Sequence, residues 1–243
     1  MITERDIAEK FSVIWKQHFP LLTSNFMRVF NESQVKQINK FPIPIKKNIR
    51  YDLVSEAAFI LSDKLIENDS TAKEFLSNKA YLLTLVTQTA SIIWESGNYT
   101  KKDLVLSKIE IEEITLISKN IFEFIKINKK ESVQFMPTLK GYGIIPDLEA
   151  DISIDDTLYE VKTVNRNFKS SDLKQLFIYL ALRQVSDNTI WNYAGLYNPR
   201  KGTYCKFNIK SMVNNLTGGL SPNETFENLL NSLDRDIQID SRF

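Results

Sequence analysis

The run Asp147-Leu-Glu-Ala-Asp151-Ile-Ser-Ile-Asp155-Asp156-Thr-Leu-Tyr-Glu160-Val-Lys162 sets the fold expected of this chain. Six carboxylates fall in the fourteen residues 147–160 before the first cation, Lys162. If Asp155-Asp156 is a two-residue hairpin loop, Ile154 pairs with Thr157, and stepping back along both strands sets Asp151 opposite Glu160. Alternation then places Asp151, Ser153, Leu158, Glu160 and Lys162 on one face, and Ile152, Ile154, Tyr159 and Val161 on the other. Opposed residues have Cβ atoms about 5 Å apart, so two carboxylates there repel each other unless a cation lies between them. A hard divalent ion, Mg²⁺ or Mn²⁺, satisfies both. Lys162 lies about 7 Å further along the same face, where it can hold an attacking water and offset charge growing at a phosphate. A solvated Glu-x-Lys pair on an exposed strand explains Glu160 and Lys162 alone, but it leaves the opposed Asp151 without a reason.

Working outward, the period changes along the chain. Only Gly97 of the seven glycines precedes residue 141, and the first part reads as helices. Ile7, Phe11, Ile14 and Trp15 recur at helical spacing, as do Leu53, Ala57, Ile60, Leu61 and Leu65, and then Leu82, Leu85, Val86, Ile92 and Ile93. Phe41-Pro-Ile-Pro-Ile45 reads as an extended link, and Ser96-Gly97-Asn98 as a helix stop. A long helix is expected from about Leu104 to Ile127, with Ile109, Leu116, Ile121, Phe124 and Ile125 as its apolar side. Strands follow at 133–135, 152–154 and 158–164, a helix at about 171–184, a strand pair at 193–197 and 203–207 joined by Asn198-Pro-Arg-Lys-Gly202, and two short closing helices. A helical N-terminal domain over residues 1–103 and a mixed α/β domain over 104–243 are expected.

The helix after Lys162 carries Gln175 and Tyr179 four residues apart on one face, with Arg183 beyond them. Its other sides are apolar, so a glutamine there needs a partner. An Asp, a hairpin, Glu-x-Lys-Thr and then Gln-x-x-x-Tyr on the next helix resemble the PD-(D/E)XK nuclease superfamily, in particular its RecB-like branch. The resemblance covers about residues 104–210. It implies a restriction-endonuclease-like αβββαβ core, dependence on Mg²⁺ or Mn²⁺, and hydrolysis of nucleic-acid phosphodiesters. It assigns catalytic roles to Asp151, Glu160, Lys162, Gln175 and Tyr179, and metal-binding positions to Asp151, Glu160 and Val161. Pro146-Asp147 offers a competing Pro-Asp, and Asp151 is preferred for its register. The superfamily's helical Glu is left open among Glu110, Glu113 and Glu123. The chain is also similar to bacterial proteins encoded near anti-phage or restriction genes, through Pro137-Thr-Leu-Lys140-Gly-Tyr-Gly143 and Asn198-Pro-Arg200-Lys-Gly202. That implies a defence-associated nuclease. The alternative is an inactive nuclease-fold scaffold or nucleic-acid-binding subunit.

Phosphate contacts are expected from Lys140, Arg166, Lys169 and Arg200, beside the motifs, with Lys174 and Lys201 as weaker candidates. DNA is expected ahead of RNA as the substrate. With 31 Lys+Arg against 30 Asp+Glu, bulk charge alone does not hold this chain to nucleic acid. A single cysteine, Cys205, excludes an internal disulfide and a thiolate cage, and a single histidine, His18, excludes chemistry that needs two. Both read as structural residues, and Trp15, Trp94 and Trp191 as core or interface anchors. No Gly-x-x-x-x-Gly-Lys-Ser/Thr is present, so an ATP-driven motor would be a separate ATPase or defence-system protein. No membrane span or signal peptide is apparent, which makes a cytoplasmic protein the expectation, with homo-oligomerisation open.

Overall fold

Asp155 takes φ 49° at the tip of the central hairpin, the left-handed backbone that a tight two-residue loop demands. In the computed structural model, which describes residues 2–40, 42–68, 71–94, 99–187 and 191–239, its carboxylate accepts the N–H groups of Lys130, Glu131 and Ser132 at 2.8–2.9 Å. Asp156 accepts two bonds from Asn192. These two acidic residues therefore hold the hairpin to its neighbours. The expected register is the one observed: Ile154 faces Thr157, Ser153 faces Leu158 and Ile152 faces Tyr159.

In chain order the elements are helices α1 (Glu4–Lys10), α2 (Ser12–His18) and α3 (Ser24–Ser33), strand β1 (Lys36–Gln37), then α4 (Tyr51–Asn68), α5 (Ala72–Ser77), α6 (Lys79–Ile93) and α7 (Lys108–Asn128). Strands β2 (Val133–Phe135), β3 (Thr138–Leu139), β4 (Leu148–Glu149), β5 (Ile152–Ile154) and β6 (Thr157–Val161) follow. Helix α8 (Ser170–Asp187), β7 (Tyr193–Asn198), β8 (Thr203–Asn208), α9 (Ile209–Thr217) and α10 (Pro222–Ile239) complete the fold. Six strands form one mixed sheet in the order β1-β8-β7-β6-β5-β2. All neighbours are antiparallel except β6 and β7, and a parallel pair needs a crossover, which α8 supplies. β3 and β4 pair separately. This is a mixed α/β architecture. Among the described residues, no helix is long and apolar enough to cross a membrane.

The two sheet faces bury different helices. Leu158, Ala194 and Leu196 pack with α8, α10 and α1–α3, including Ile7, Trp15 and Phe30. Ile152, Ile154, Tyr159 and Tyr197 pack with α7 and α4 through Ile114, Ile121, Phe124 and Ala57. The N-terminal helices thus divide between both faces of one sheet. Differences from the expected elements are local. Phe11, at φ −98° and ψ 52°, breaks the expected first helix into α1 and α2. Ile109 and Leu116 are 42% and 44% exposed, and the apolar side of α7 runs through Ile114 and Ile117 instead. The expected stop at 96–98 and residue 41 of the extended link lie outside the described residues.

Arg200 is a correction to the expected phosphate contacts. It is 2% exposed, its Nη2 donates to Oε2 of the fully buried Glu113 at 2.7 Å, and its guanidinium lies over the Tyr51 ring. Asn198 accepts the Arg200 and Lys201 N–H groups and donates to the Val164 carbonyl. The Asn-Pro-Arg turn therefore pins the β7–β8 connection to α7 and α4. Removing one member of a buried pair strands the other's charge, so Arg200→Leu is expected to cost about 3–5 kcal/mol in urea unfolding. The double variant Glu113→Leu/Arg200→Leu should recover most of that loss. A single variant within 1 kcal/mol of wild type, taken as roughly the surface limit, would contradict the pin.

Candidate active site

The hairpin, the strand β6 and the helix α8 bring four of the expected residues to one place. Asp151 ends the loop before β5 and accepts the Val161 N–H through Oδ2 at 2.5 Å, so the Val161 main chain lies against the Asp151 carboxylate. Glu160, on β6, is 3% exposed. Its Oε1 takes the Lys162 ammonium at 2.6 Å, while its Oε2 is buried and receives no hydrogen bond from a fixed donor. Lys162 also donates to Gln175 Oε1 at 2.6 Å, and Gln175 Nε2 reaches Glu4 Oε1 at 3.4 Å. Gln175 therefore faces Lys162 from α8, and the first turn of α1 joins the same site.

Electrostatics set this cluster apart. Burial raises the pKa of both Asp151 and Glu160 well above the usual carboxylate range, and each acts on the other. For Glu160 the Asp151 charge is the next cause after burial, ahead of the opposing pull of Lys162. Burial alone would lower the pKa of Lys162, but the Glu160 carboxylate more than reverses this and raises it. Lys162 is thus an ammonium, a donor and not a base. Tyr179 is 3% exposed. Burial, then the Glu160 and Asp151 charges, push its phenol far up, against a hydrogen bond with Gln175, so it stays neutral.

The remaining candidates are committed elsewhere. Glu110 caps α7 and takes two bonds from the Arg50 guanidinium, which against the raising effect of burial hold its carboxyl down at about 2. Glu113 pairs with Arg200, and Glu123 lies by Lys119 and Asn39. None of the three α7 glutamates reaches the Asp151–Glu160 pair through these contacts. The helical carboxylate beside it is Glu56 of α4, which lines a cleft of about 420 Å³ together with Asp151, Val161 and Glu4, and whose charge contributes to raising the Asp151 pKa. Sequence reasoning missed Glu56 and Glu4. The available signal was the position of Glu56 three after Leu53 and four before Ile60, on the buried side of α4. Asp147, the competing acid, accepts the Gly141 N–H at 2.7 Å and shapes the preceding loop.

Of the basic residues, Lys140 and Lys169 are exposed. Arg166 clamps the carboxylate of Asp172 at 2.6 and 2.8 Å, Lys201 donates to Asn167, and Lys174 donates to the Ala8 carbonyl and lies over Trp15. His18 ends α2 beside Ser232. Cys205 is buried and its thiol is pushed up to about 12 by that burial, which removes it as a nucleophile.

Among the described residues, no group of three or more His, Cys, Asp or Glu side chains is placed to hold a metal ion. The donor set nevertheless suits Mg²⁺ or Mn²⁺, which are held by one or two carboxylates with waters and substrate oxygens completing the shell. The orphaned Glu160 Oε2 beside Asp151 is the observation that favours such an ion. No family model, no curated protein and no solved structure matches the chain.

Because both pKa values are raised, the pair retains a proton near neutral pH that an entering cation must displace. Calorimetric titration with Mn²⁺ in buffers of different ionisation enthalpy should show proton release, with affinity rising as pH rises. Without the ion, a carboxyl with a raised folded pKa stabilises the fold at low pH and loses that contribution as pH climbs through the folded value. Asp151→Asn should therefore melt higher than wild type in EDTA, by about 1–2 kcal/mol above neutral pH and less below it. A buffer-independent enthalpy, or a destabilised Asn variant at alkaline pH, would contradict the shared-proton pair.

Proposed function

We propose that this chain is a divalent-metal-dependent nuclease of the PD-(D/E)XK type, with the RecB-like helix motif, acting on DNA in preference to RNA. The observation that carries this reading is the buried Glu160 carboxylate, which pairs with the Lys162 ammonium through one oxygen and turns the other, which no fixed donor reaches, to the neighbouring Asp151 carboxyl. The order α7-β2-β5-β6-α8-β7 fits the αβββαβ core that the resemblance implies, with β3–β4 inserted between the first two strands. The loops Pro137–Gly143 and Asn198–Gly202 give the reading its bacterial-defence context.

Asp151 and Glu160, with the Val161 main chain beside them, would hold the ion, and Glu56 would face them from α4. A bound Mg²⁺ supplies Lewis acidity toward a phosphate oxygen and lowers the pKa of water. The chain's own contribution is orientation and charge. In hydrolysis a water oxygen bonds to phosphorus, the P–O ester bond breaks, and the leaving oxygen takes a proton. Lys162, fixed by Glu160 and Gln175, presents a preorganised N–H to the oxygen that carries the developing charge. Gln175 positions that ammonium, and the neutral Tyr179 phenol one helical turn on lies within hydrogen-bonding reach of the Gln175 amide. The exposed Lys140 and Lys169 are the remaining candidates for phosphate contacts, which fix register without reading sequence.

The test is cleavage of plasmid, linear and single-stranded substrates in Mg²⁺ and in EDTA. Cutting should require the ion. Lys162→Ala should lose about 10²–10³ in rate while ion and oligonucleotide affinities change only a few-fold, because the carboxylates hold the ion. A Lys162→Ala protein cutting at the wild-type rate would place the chemistry elsewhere, and a wild-type protein that binds Mg²⁺ and cuts nothing would favour the scaffold alternative.

A further inference from the structure

We infer that the outer face of α7 seats a second copy of this chain, with the two α7 helices packed antiparallel about a two-fold axis. The face carries two features that a solvated helix does not need. Ile109 and Leu116, two turns apart on α7, are 42% and 44% exposed. Beside them α4, α5 and α7 frame an apolar cavity of about 380 Å³, lined by Leu65, Ala72, Thr115 and Phe122 among others. A protruding apolar pair and a cavity on one helix face are the two halves of a self-complementary surface.

The order of residues along this face selects a second copy as the occupant. Lys108, Glu112, Lys119 and Glu123 share it with Ile109 and Leu116, opposite the core side of Ile114, Ile117 and Ile121. A two-fold axis between Thr115 and Leu116 brings Lys108 to Glu123 of the second copy and Glu112 to Lys119 of the second copy. The same axis brings Ile109 to Phe122 of the second copy, on the wall of its cavity, and sets the two Leu116 side chains near each other. Every contact occurs twice, as an isologous interface requires. Alternating charges alone mark a solvated helix, but here the alternation reverses onto its own complement with the apolar residues in register.

Little opposes this pairing. Within the chain Lys119 lies 3.7 Å from Glu123 and Lys46 lies 3.6 Å from Glu112. Both are exposed pairs of small worth, so trading them for pairs across the axis costs little. A net charge of +1 leaves no long-range repulsion between copies. One helix pair with its flanks covers less surface than an obligate dimer, so association should be reversible and concentration-dependent. No residue of α5 or α7 lines the cleft at Asp151, and the inference does not depend on the nuclease reading.

The experiment is sedimentation velocity of the full chain from about 1 to about 200 μM, the range that a weak, reversible dimer spans. The mass should rise from one copy toward two. Leu116→Glu sets like charges across the axis and should stay monomeric, with a melting temperature near that of wild type because the position is exposed. Glu112→Lys and Lys119→Glu each oppose like charges twice, and each alone should weaken the dimer by about tenfold or more. Mixed in equal amounts, the two variants should form a dimer of one copy of each at near wild-type affinity, because every opposed pair is again of unlike charge. A misfolded variant could not be rescued in this way. A wild-type chain that stays monomeric at the highest concentration would overturn the inference. So would a dimer that Leu116→Glu leaves intact, or a mixture that associates no better than either charge variant alone.

Discussion

Two carboxylates set side by side, the half-buried Asp151 and the buried Glu160, are the constraint on which the rest of this structure depends. Like charges in a low-dielectric setting repel strongly, and the molecule meets that cost in three ways. The Val161 N–H bonds Asp151, the Lys162 ammonium bonds Glu160, and the pair keeps a proton that burial favours. The second oxygen of Glu160 receives no hydrogen bond from a fixed donor. Satisfied polar groups are the rule in protein interiors. Among the described residues Glu160 Oε2 shares the lack of a fixed partner with Glu113 Oε1, Tyr159 Oη, Gln184 Oε1 and Arg200 Nη1. It is set apart by lying beside Asp151, where a cation would complete the arrangement.

The surroundings hold the pair rather than relieve it. Asp155 and Asp156 tie the hairpin to the end of α7 and to the start of β7, which fixes the register of β5 against β6. Gly195 lies where a Cβ would come within 2.6 Å of the Tyr159 ring, which keeps β7 close against the strand that carries Glu160. From the other side α8 seats Gln175 on Lys162, and α1 seats Glu4 on Gln175. The N-terminal helices thereby take part in the site, which a division into a helical half and a catalytic half would not suggest.

Much of this was legible because strands and hairpins encode register locally. The two-residue loop and the alternation of Ile152, Ile154 and Tyr159 determine which side chains share a face, and one helical turn relates Gln175 to Tyr179. What could not be read is what the long-range packing decides. Glu56 is ninety-five residues before Asp151, and its place at the cleft follows from how α4 crosses the sheet. The α7 glutamates looked equivalent to it in sequence, but Arg50 and Arg200 claim two of them. Arg200 itself, beside a turn, resembled a surface cation, and only the burial of Glu113 gives it another use.

The central claim is that Asp151 and Glu160 together hold a divalent ion next to Lys162. The most direct measurement is an anomalous difference map from crystals of the protein soaked in Mn²⁺, collected at the manganese absorption edge. The account predicts a peak between the Asp151 and Glu160 carboxylates on the side of Glu56, within coordination distance of both. A peak at Asp147 instead, or an ordered site with both carboxylates and no manganese at saturating concentration, would contradict it.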